Sequence, residues 1–270
     1  MAQIISGVEF NPVDDIQYAK AKVNTNGLRQ VGIQNKKSKK SMYLSTPLML
    51  TWGMNEYTDD KTGSKSYDMA LQFPNDEYSN PECVEFLKNM QNFEQKLKAD
   101  ATENCKEWLN KTKMSSDVID ALWTPMLRYP KDKETGEYDY SRAPTLKVKI
   151  PYWEGNFKGV ELYDDEQKQL FPNDDDVPPI EYVTKGSNVA TIIYCGGIWV
   201  ANGKFGVTWK LFQAVVKPRA SLAGKCHITL SQKDKETMNA SVKDDSDDEV
   251  DTVTVSNTND TVVEDSDEEE

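Results

Sequence analysis

From residue 189 to residue 216 the chain is one β-forming run, broken only by two short glycine-containing pairs. Val, Ile, Tyr, Trp and Phe dominate it, and these residues fit a pleated, half-buried surface. Asn202 and Gly203 lie between two such runs. An Asn-Gly pair there is the strongest short-range sign of a tight hairpin, because both central residues of the favoured turn need φ > 0. Gly196 and Gly197 read as a bulge or turn within the first arm. In the second arm Phe205, Val207, Trp209, Leu211, Gln213 and Val215 share one face by period-2 alternation, while Lys204, Lys210 and Phe212 share the other. One face must be buried, and the lysine-bearing face is the poorer choice. Trp209 therefore reads as core.

Shorter segments precede this hairpin. Residues 28–34, with Leu28, Val31 and Ile33, read as a short strand. Residues 42–52 are apolar and β-prone, with Pro47 suited to an edge or bulge rather than a central position. Residues 59–63 form a turn, and residues 67–73 another strand. Asn80 caps a helix that has Pro81 at its first position. Val84, Leu87, Met90, Leu97, Ala101, Cys105 and Trp108 give that helix one apolar face. Ser115 or Ser116 caps a second, shorter helix through Ile119 and Leu122, stopped by Pro125. Residues 129–140 form a polar hairpin-like stretch. Leu146, Val148, Ile150 and Tyr152 alternate with Lys147 and Lys149, which marks a half-buried strand, with residues 157–163 as its return strand. Residues 164–179 are acidic and proline-rich, hence a loop, and residues 226–230 add an edge strand.

Three strands, a helical segment and then more strands is the order of an OB-fold, a small, partly open five-stranded barrel with a helix after its third strand. The expected class is mainly β (α+β), an OB-fold-like barrel over residues 1–242 with a helical insert around residues 80–124. A β-sandwich with a helical insert has the same element order, and spacing alone does not separate the two.

Charge divides the chain differently. Residues 243–270 hold 13 of the 45 acidic residues and one of the 32 basic residues, so −12 of the net charge of −13 lies there. The body is close to neutral, and the last 28 residues form a disordered acidic tail. Such asymmetry marks nucleic-acid proteins and their regulators. The tail carboxylates Asp244, Asp245, Asp247, Asp248, Glu249, Asp265, Asp267, Glu268, Glu269 and Glu270 read as regulatory, competing for a cationic groove. A tail that merely solubilises is the alternative. Ser246 and Ser266 each precede acidic runs and look like sites for acidophilic kinases, where phosphorylation would add charge.

Catalytic chemistry has little to stand on. The one histidine, His227, removes most acid–base schemes, and no GxSxG, HExxH, GxxxxGK[ST] or GxGxxG motif occurs. Acidic runs at residues 14–15 and 174–176 read as solvated faces rather than magnesium sites. Cys83, Cys105, Cys195 and Cys226 are too widely spaced for zinc and read as reduced thiols. No enzyme, metal or cofactor is expected. No leader and no apolar run long enough for a membrane span are visible, so the expected setting is intracellular.

Binding chemistry is better represented. Lys36, Lys37, Lys39 and Lys40 place four ammonium groups in five residues, in the position of the first hairpin loop of an OB-fold. They read as phosphate contacts, with a solvated hairpin tip or a nuclear import signal as the alternatives. Trp199, Lys204, Phe205, Lys210, Lys217 and Arg219 interleave rings with cations, as single-stranded nucleic acid requires: faces for bases and charge for phosphates. Lys147, Lys149 and Trp153 form a weaker group of the same kind. Tyr43, Trp52 and Tyr57 are further stacking rings, with core packing favoured for Trp52.

Residues 192–219, IIYCGGIWVANGKFGVTWKLFQAVVKPR, resemble the single-stranded DNA-binding proteins of nucleocytoplasmic large DNA viruses, relatives of the acid-tailed binding proteins of tailed phages. The acidic tail is a second matching feature. The resemblance implies an OB-fold protein that coats single-stranded DNA in viral DNA replication, recombination and repair. Bases would stack on exposed Tyr43, Trp153, Trp199 and Phe205. Phosphates would pass Lys36, Lys37, Lys39, Lys40, Lys147, Lys149, Lys204, Lys210, Lys217 and Arg219. Implied partners are single-stranded DNA, a polymerase or helicase recruited by the tail, and further copies of the chain in a homo-oligomer, with no membrane involved. The implied location is the host cytoplasm, in viral factories, or the nucleus. One detail departs: the phage relatives end on an aromatic residue, whereas Asp267, Glu268, Glu269 and Glu270 stand here. Other functions compatible with an acidic tail are a chaperone for histones or other basic proteins and a virion-associated structural protein.

Overall fold

The computed structural model describes residues 3–24, 27–217 and 228–240. Met1–Ala220 makes one unit and Ser221–Glu270 a second. In the first, short strands β1 (Ile4–Ser6), β2 (Ile16–Tyr18), β3 (Arg29–Val31), β4 (Ile33–Asn35) and β5 (Tyr43–Ser45) lead to two longer ones, β6 (Met49–Thr58) and β7 (Lys65–Gln72). Helices α1 (Pro81–Glu103) and α2 (Ser116–Leu122) follow. Then come β8 (Thr145–Ile150), β9 (Glu161–Tyr163), β10 (Gln169–Phe171) and the long hairpin of β11 (Ser187–Ala201) and β12 (Lys204–Val216).

The pairings close into a ring. β6 pairs with β7, β7 with β8, β8 with β12, β12 with β11, and β11 with β6 again through Ser187, Asn188 and Val189. All of these are antiparallel except β8 with β12. A closed ring of five strands has no free edge within it, and this is the OB-fold barrel the element order predicts. Its interior is filled by alternating residues such as Met69, Leu71, Val148, Ile193, Trp209 and Leu211, all buried.

The strands that form the barrel differ from the sequence-based expectation. Residues 28–34 split at Gly32 into β3 and β4 and do not enter the barrel. β3 lies along the outer edge of β11 at Ile198, Trp199 and Val200, and β5 lies along the same edge at Ile192, Ile193 and Tyr194. The first barrel strand is therefore β6, and α1 follows the second barrel strand rather than the third. Residues 42–52 divide at Pro47, which cannot donate to a ladder.

Both glycine-containing pairs behave as the sequence suggests. Asn202 (φ 51°) and Gly203 (φ 73°) form the hairpin turn. At the other pair β11 bulges, since its register slips between Cys195 and Ile198. Gly197 has φ 83°, and a Cβ there would lie 2.5 Å from the Val31 carbonyl oxygen, so only glycine lets β3 approach.

Helix α1 starts as expected, with Asn80 Oδ1 accepting the Glu82 N–H at 2.9 Å. Its buried stripe keeps the expected Met90, Leu97 and Ala101, with Leu87 half-buried against the core, and adds Cys83, Phe86 and Phe93, whereas Val84 is exposed. The stripe reaches the barrel, where Phe93 packs 5.7 Å from the Trp209 ring and Phe86 5.7 Å from Phe73. The helix stops at Glu103, and Cys105–Trp108 forms a separate turn rather than continuing it.

Two loop assignments also change. β9 pairs in parallel with β12 and is not a return strand for β8; only Asn156–Phe157 turns back, onto Tyr152–Trp153. Residues 164–179 include β10, which pairs with β9 after a turn closed by Asp164 Oδ1 accepting the Lys168 N–H at 2.8 Å. In the second unit, helix α3 (Gln232–Ala240) is described, and residues 228–230 form no strand.

Candidate nucleic-acid interface

Alternation along β8, β11 and β12 puts core residues on one side of the sheet and a different set on the other. Val148 and Trp209 are paired and buried. One residue further on, Lys149 stands opposite Lys210, Lys210 opposite Tyr194, and Tyr194 opposite Tyr43 on β5. These four side chains form a row across the outer surface, each strand about 4.8 Å from the next. The Tyr43 and Tyr194 rings are 5.7 Å apart, Phe212 stands edge-on to Tyr43 at 5.3 Å, and Lys210 Nζ lies 5.9 Å from the Tyr194 ring centroid. The row thus begins with two cations and ends in a patch of three rings.

A groove of about 480 Å³ adjoins the cationic end, lined by Arg128, Lys147, Lys149, Trp199 and Thr208. Trp199 stands opposite Gly206 across the hairpin. A Cβ at Gly206 would come within 3.0 Å of both Trp199 Cζ2 and the Thr124 carbonyl oxygen, so the missing side chain is what lets the indole lie across the strand. Lys147 is ion-paired with Asp68, the partner of Lys149 on β7. Among the described residues Arg128, Lys149 and Lys210 form no ion pair, although Asp68 stands across the register from Lys149. Three cations outside any ion pair, beside a half-buried indole, can hold a polyanion that carries flat rings.

The lysine loop hangs from the same edge. Buried Asn35 organises it, its Oδ1 accepting the Lys37 and Ser38 N–H groups at 2.9 and 2.8 Å. Lys36, Lys37, Lys39 and Lys40 are all exposed, with Lys39 Nζ donating to Gln17 Oε1 at 2.5 Å. The loop joins β4 to β5, so it precedes the first barrel strand. It is not the first barrel hairpin loop, which residues 59–64 form instead. β5 leaves the loop and delivers Tyr43 into the row.

The other expected site residues scatter. Lys204 is exposed beside the hairpin turn. Phe205 is 1% exposed and packs edge-on against Trp123 at 5.1 Å, so it is core and not a stacking surface. Its place on the Trp209 face dictates this. Lys217 lies beyond the opposite end of β12 from the turn, and Asp165 holds its ammonium at 2.7 Å. Trp153 is 69% exposed on the small hairpin that continues β8, beside Lys65 and Tyr152. Trp52, expected in the core, is exposed, with Lys185 Nζ 5.2 Å from its ring. Tyr57 is exposed as well. Arg219, the tail carboxylates, Ser246 and Ser266 lie outside the described residues.

Sequence reasoning missed Arg128 and Tyr194. Tyr194 has the parity of the outward residues of β11 and was legible there. Arg128 sits in a two-residue strand between Pro125 and Pro130, too short to carry a period. Burial pushes the Cys195 thiol up to about 12, so it stays protonated near neutrality. Among the described residues no group of three or more His, Cys, Asp or Glu side chains converges as a metal site, and no helix is long and apolar enough to cross a membrane.

The closed five-stranded ring defines a protein of the OB-fold class, with the helix moved to follow the second barrel strand. No protein-family model matches the chain, and no curated protein matches it. Among solved structures it is similar to gp2.5, a single-stranded DNA binding protein encoded by bacteriophage T7, at 14% identity and TM-score 0.40 over 69% of this chain and 98% of that one. It is also similar to the single-stranded DNA-binding protein from bacteriophage Enc34, at 12% identity and TM-score 0.39 over 80% and 98%. The same Enc34 protein in complex with single-stranded DNA gives 8% identity and TM-score 0.37 over 78% and 97%.

Proposed function

We propose that this chain binds single-stranded DNA, without sequence preference, along the outer face of its barrel. The observation that carries the reading is the row in which Lys149 and Lys210 lead across register to Tyr194 and Tyr43, beside the groove of Arg128 and Trp199. Unpaired bases stack on aromatic faces and phosphates follow cations, whatever the sequence. A duplex hides its base faces and leaves the rings without partners. In this reading the protein is a non-catalytic coating protein of viral DNA replication, recombination and repair. Its acidic tail competes with DNA for the groove and, once displaced, recruits a polymerase or helicase.

The test is a fluorescence titration of the full chain with single- and double-stranded oligonucleotides over a range of salt. Single strands bind more tightly, and log affinity falls linearly with log salt. Each phosphate contact on a single strand contributes about −0.7 to that slope, so Lys149→Ala with Lys210→Ala flattens it by about 1.4. Equal affinity for duplex, or an unchanged slope in the double variant, refutes the proposal.

A further inference from the structure

A second groove opens on the barrel beside the first. Leu48, Leu50, Trp52, Gln72, Tyr78 and Arg142 line much of it, and no carboxylate is among its lining residues. Trp52 is 53% and Tyr78 72% exposed, unusual solvation for two large rings within one depression. Lys185 lies over one face of Trp52, a cation beside a ring.

The register links this groove to the first without a gap. Arg128 stands opposite Thr145, Thr145 opposite Gln72, Gln72 opposite Leu50, and Leu50 opposite Asn188. None of these residues is buried, so the row runs over the outside of the barrel, from the rim of the cationic groove to the floor of the aromatic one. Rings provide a parallel route: Tyr129, next to Arg128, packs 4.8 Å from Tyr140, which is 72% exposed and lies two residues before Arg142.

We propose that the second groove is a further base-stacking subsite for the same single strand, which leaves the first groove over Thr145 and Gln72 and lays its next bases on Trp52 and Tyr78. This rests on the single-strand reading above and deepens it. A polyanion suits a groove that carries Arg142, is bordered by Lys185 and lacks carboxylates. An acidic neighbour would be expected if the groove took a basic peptide. Continuity with the cationic groove fixes the occupant as the same strand.

The experiment compares the full chain with a Trp52→Ala, Tyr78→Ala double variant on oligothymidylates of about 6 and about 20 nucleotides, one near the short end and one beyond the long end of the roughly 4–16 nucleotides an OB-fold covers. Both substituted rings are exposed, so thermal unfolding is expected to coincide with that of the parent. The variant binds the long oligonucleotide about tenfold more weakly and the short one unchanged, as the loss of a base stack implies. Equal binding of both lengths by variant and parent, while Trp199→Ala weakens both, overturns the subsite and leaves the first groove standing. A variant that keeps its DNA affinity but changes its sedimentation behaviour assigns the groove to contact between copies and also overturns it. A parent that binds neither length overturns both readings.

Discussion

Phe205 and Trp199 stand almost opposite one another in the same hairpin and have opposite fates. Val200, not Trp199, is the register partner of Phe205, and that offset of one residue puts the two rings on different faces. Phe205 is sealed beneath Trp123, whereas Trp199 lies over Gly206 at the groove. Phe205→Ala is therefore expected to cost about 3–5 kcal/mol of stability, the range for emptying a buried phenylalanine site. Trp199→Ala is expected to leave the denaturant midpoint near the parent value and weaken single-strand binding about fivefold or more. Chemical denaturation and a binding titration on both variants check the pair. The alternation that places Trp209 in the core was visible in the sequence and already placed Phe205 with it. Reading Phe205 as a stacking ring set composition above parity, and parity decides.

At the scale of elements, the β-hairpin was legible because every level agreed: alternation, the Asn-Gly turn and the glycine-containing bulge. The short strands β3, β4 and β5 were legible as strands but not as neighbours. Three residues carry too little pattern to say whether they close a barrel or lie along its edge, and here β3 and β5 lie along β11 while β4 pairs with β2. The helix was legible at its capped start and over most of its face. Val84 has helical spacing but is exposed, and Phe86 and Phe93, left out of the expected face, take the inside beside Met90 and Leu97. The lysine loop was legible as a cationic hairpin and misplaced in the barrel order for the same reason as β3. Gly197 shows how strictly the edge is built. Gly197→Ala combines an unfavourable φ with a collision at the Val31 carbonyl, so a loss of well over 1 kcal/mol is expected. Hydrogen exchange at the amides of β3 and of Ile198, which pair across this contact, is expected to quicken most. Uniform protection in the variant would show that the bulge tolerates a side chain.

For the molecule as a whole, the proposed competition between tail and DNA rests on the charge division. Residues 243–270 carry nearly all of the net negative charge, while Lys149 and Lys210 in the outer row form no ion pair among the described residues. Removing these residues is expected to tighten single-strand binding several-fold at low salt, with the difference shrinking as ionic strength rises and screening shortens its reach. Binding isotherms of the full and shortened chains at two salt concentrations decide it, and coincident curves at low salt would reduce the tail to a solubilising appendage.

The barrel and its edge are completed by the hairpin, the last of the barrel strands in chain order. β6 and β5 find their partner on a strand more than a hundred residues downstream, where Thr46 and Thr191 meet hydroxyl to hydroxyl at 3.0 Å. Pairings this distant close slowly and leave strand edges open in the meantime. Until residue 216 has been made, β6 can pair with β7 and β7 with β8, but one edge of β5 and one edge of β6 wait for the strand that closes the ring.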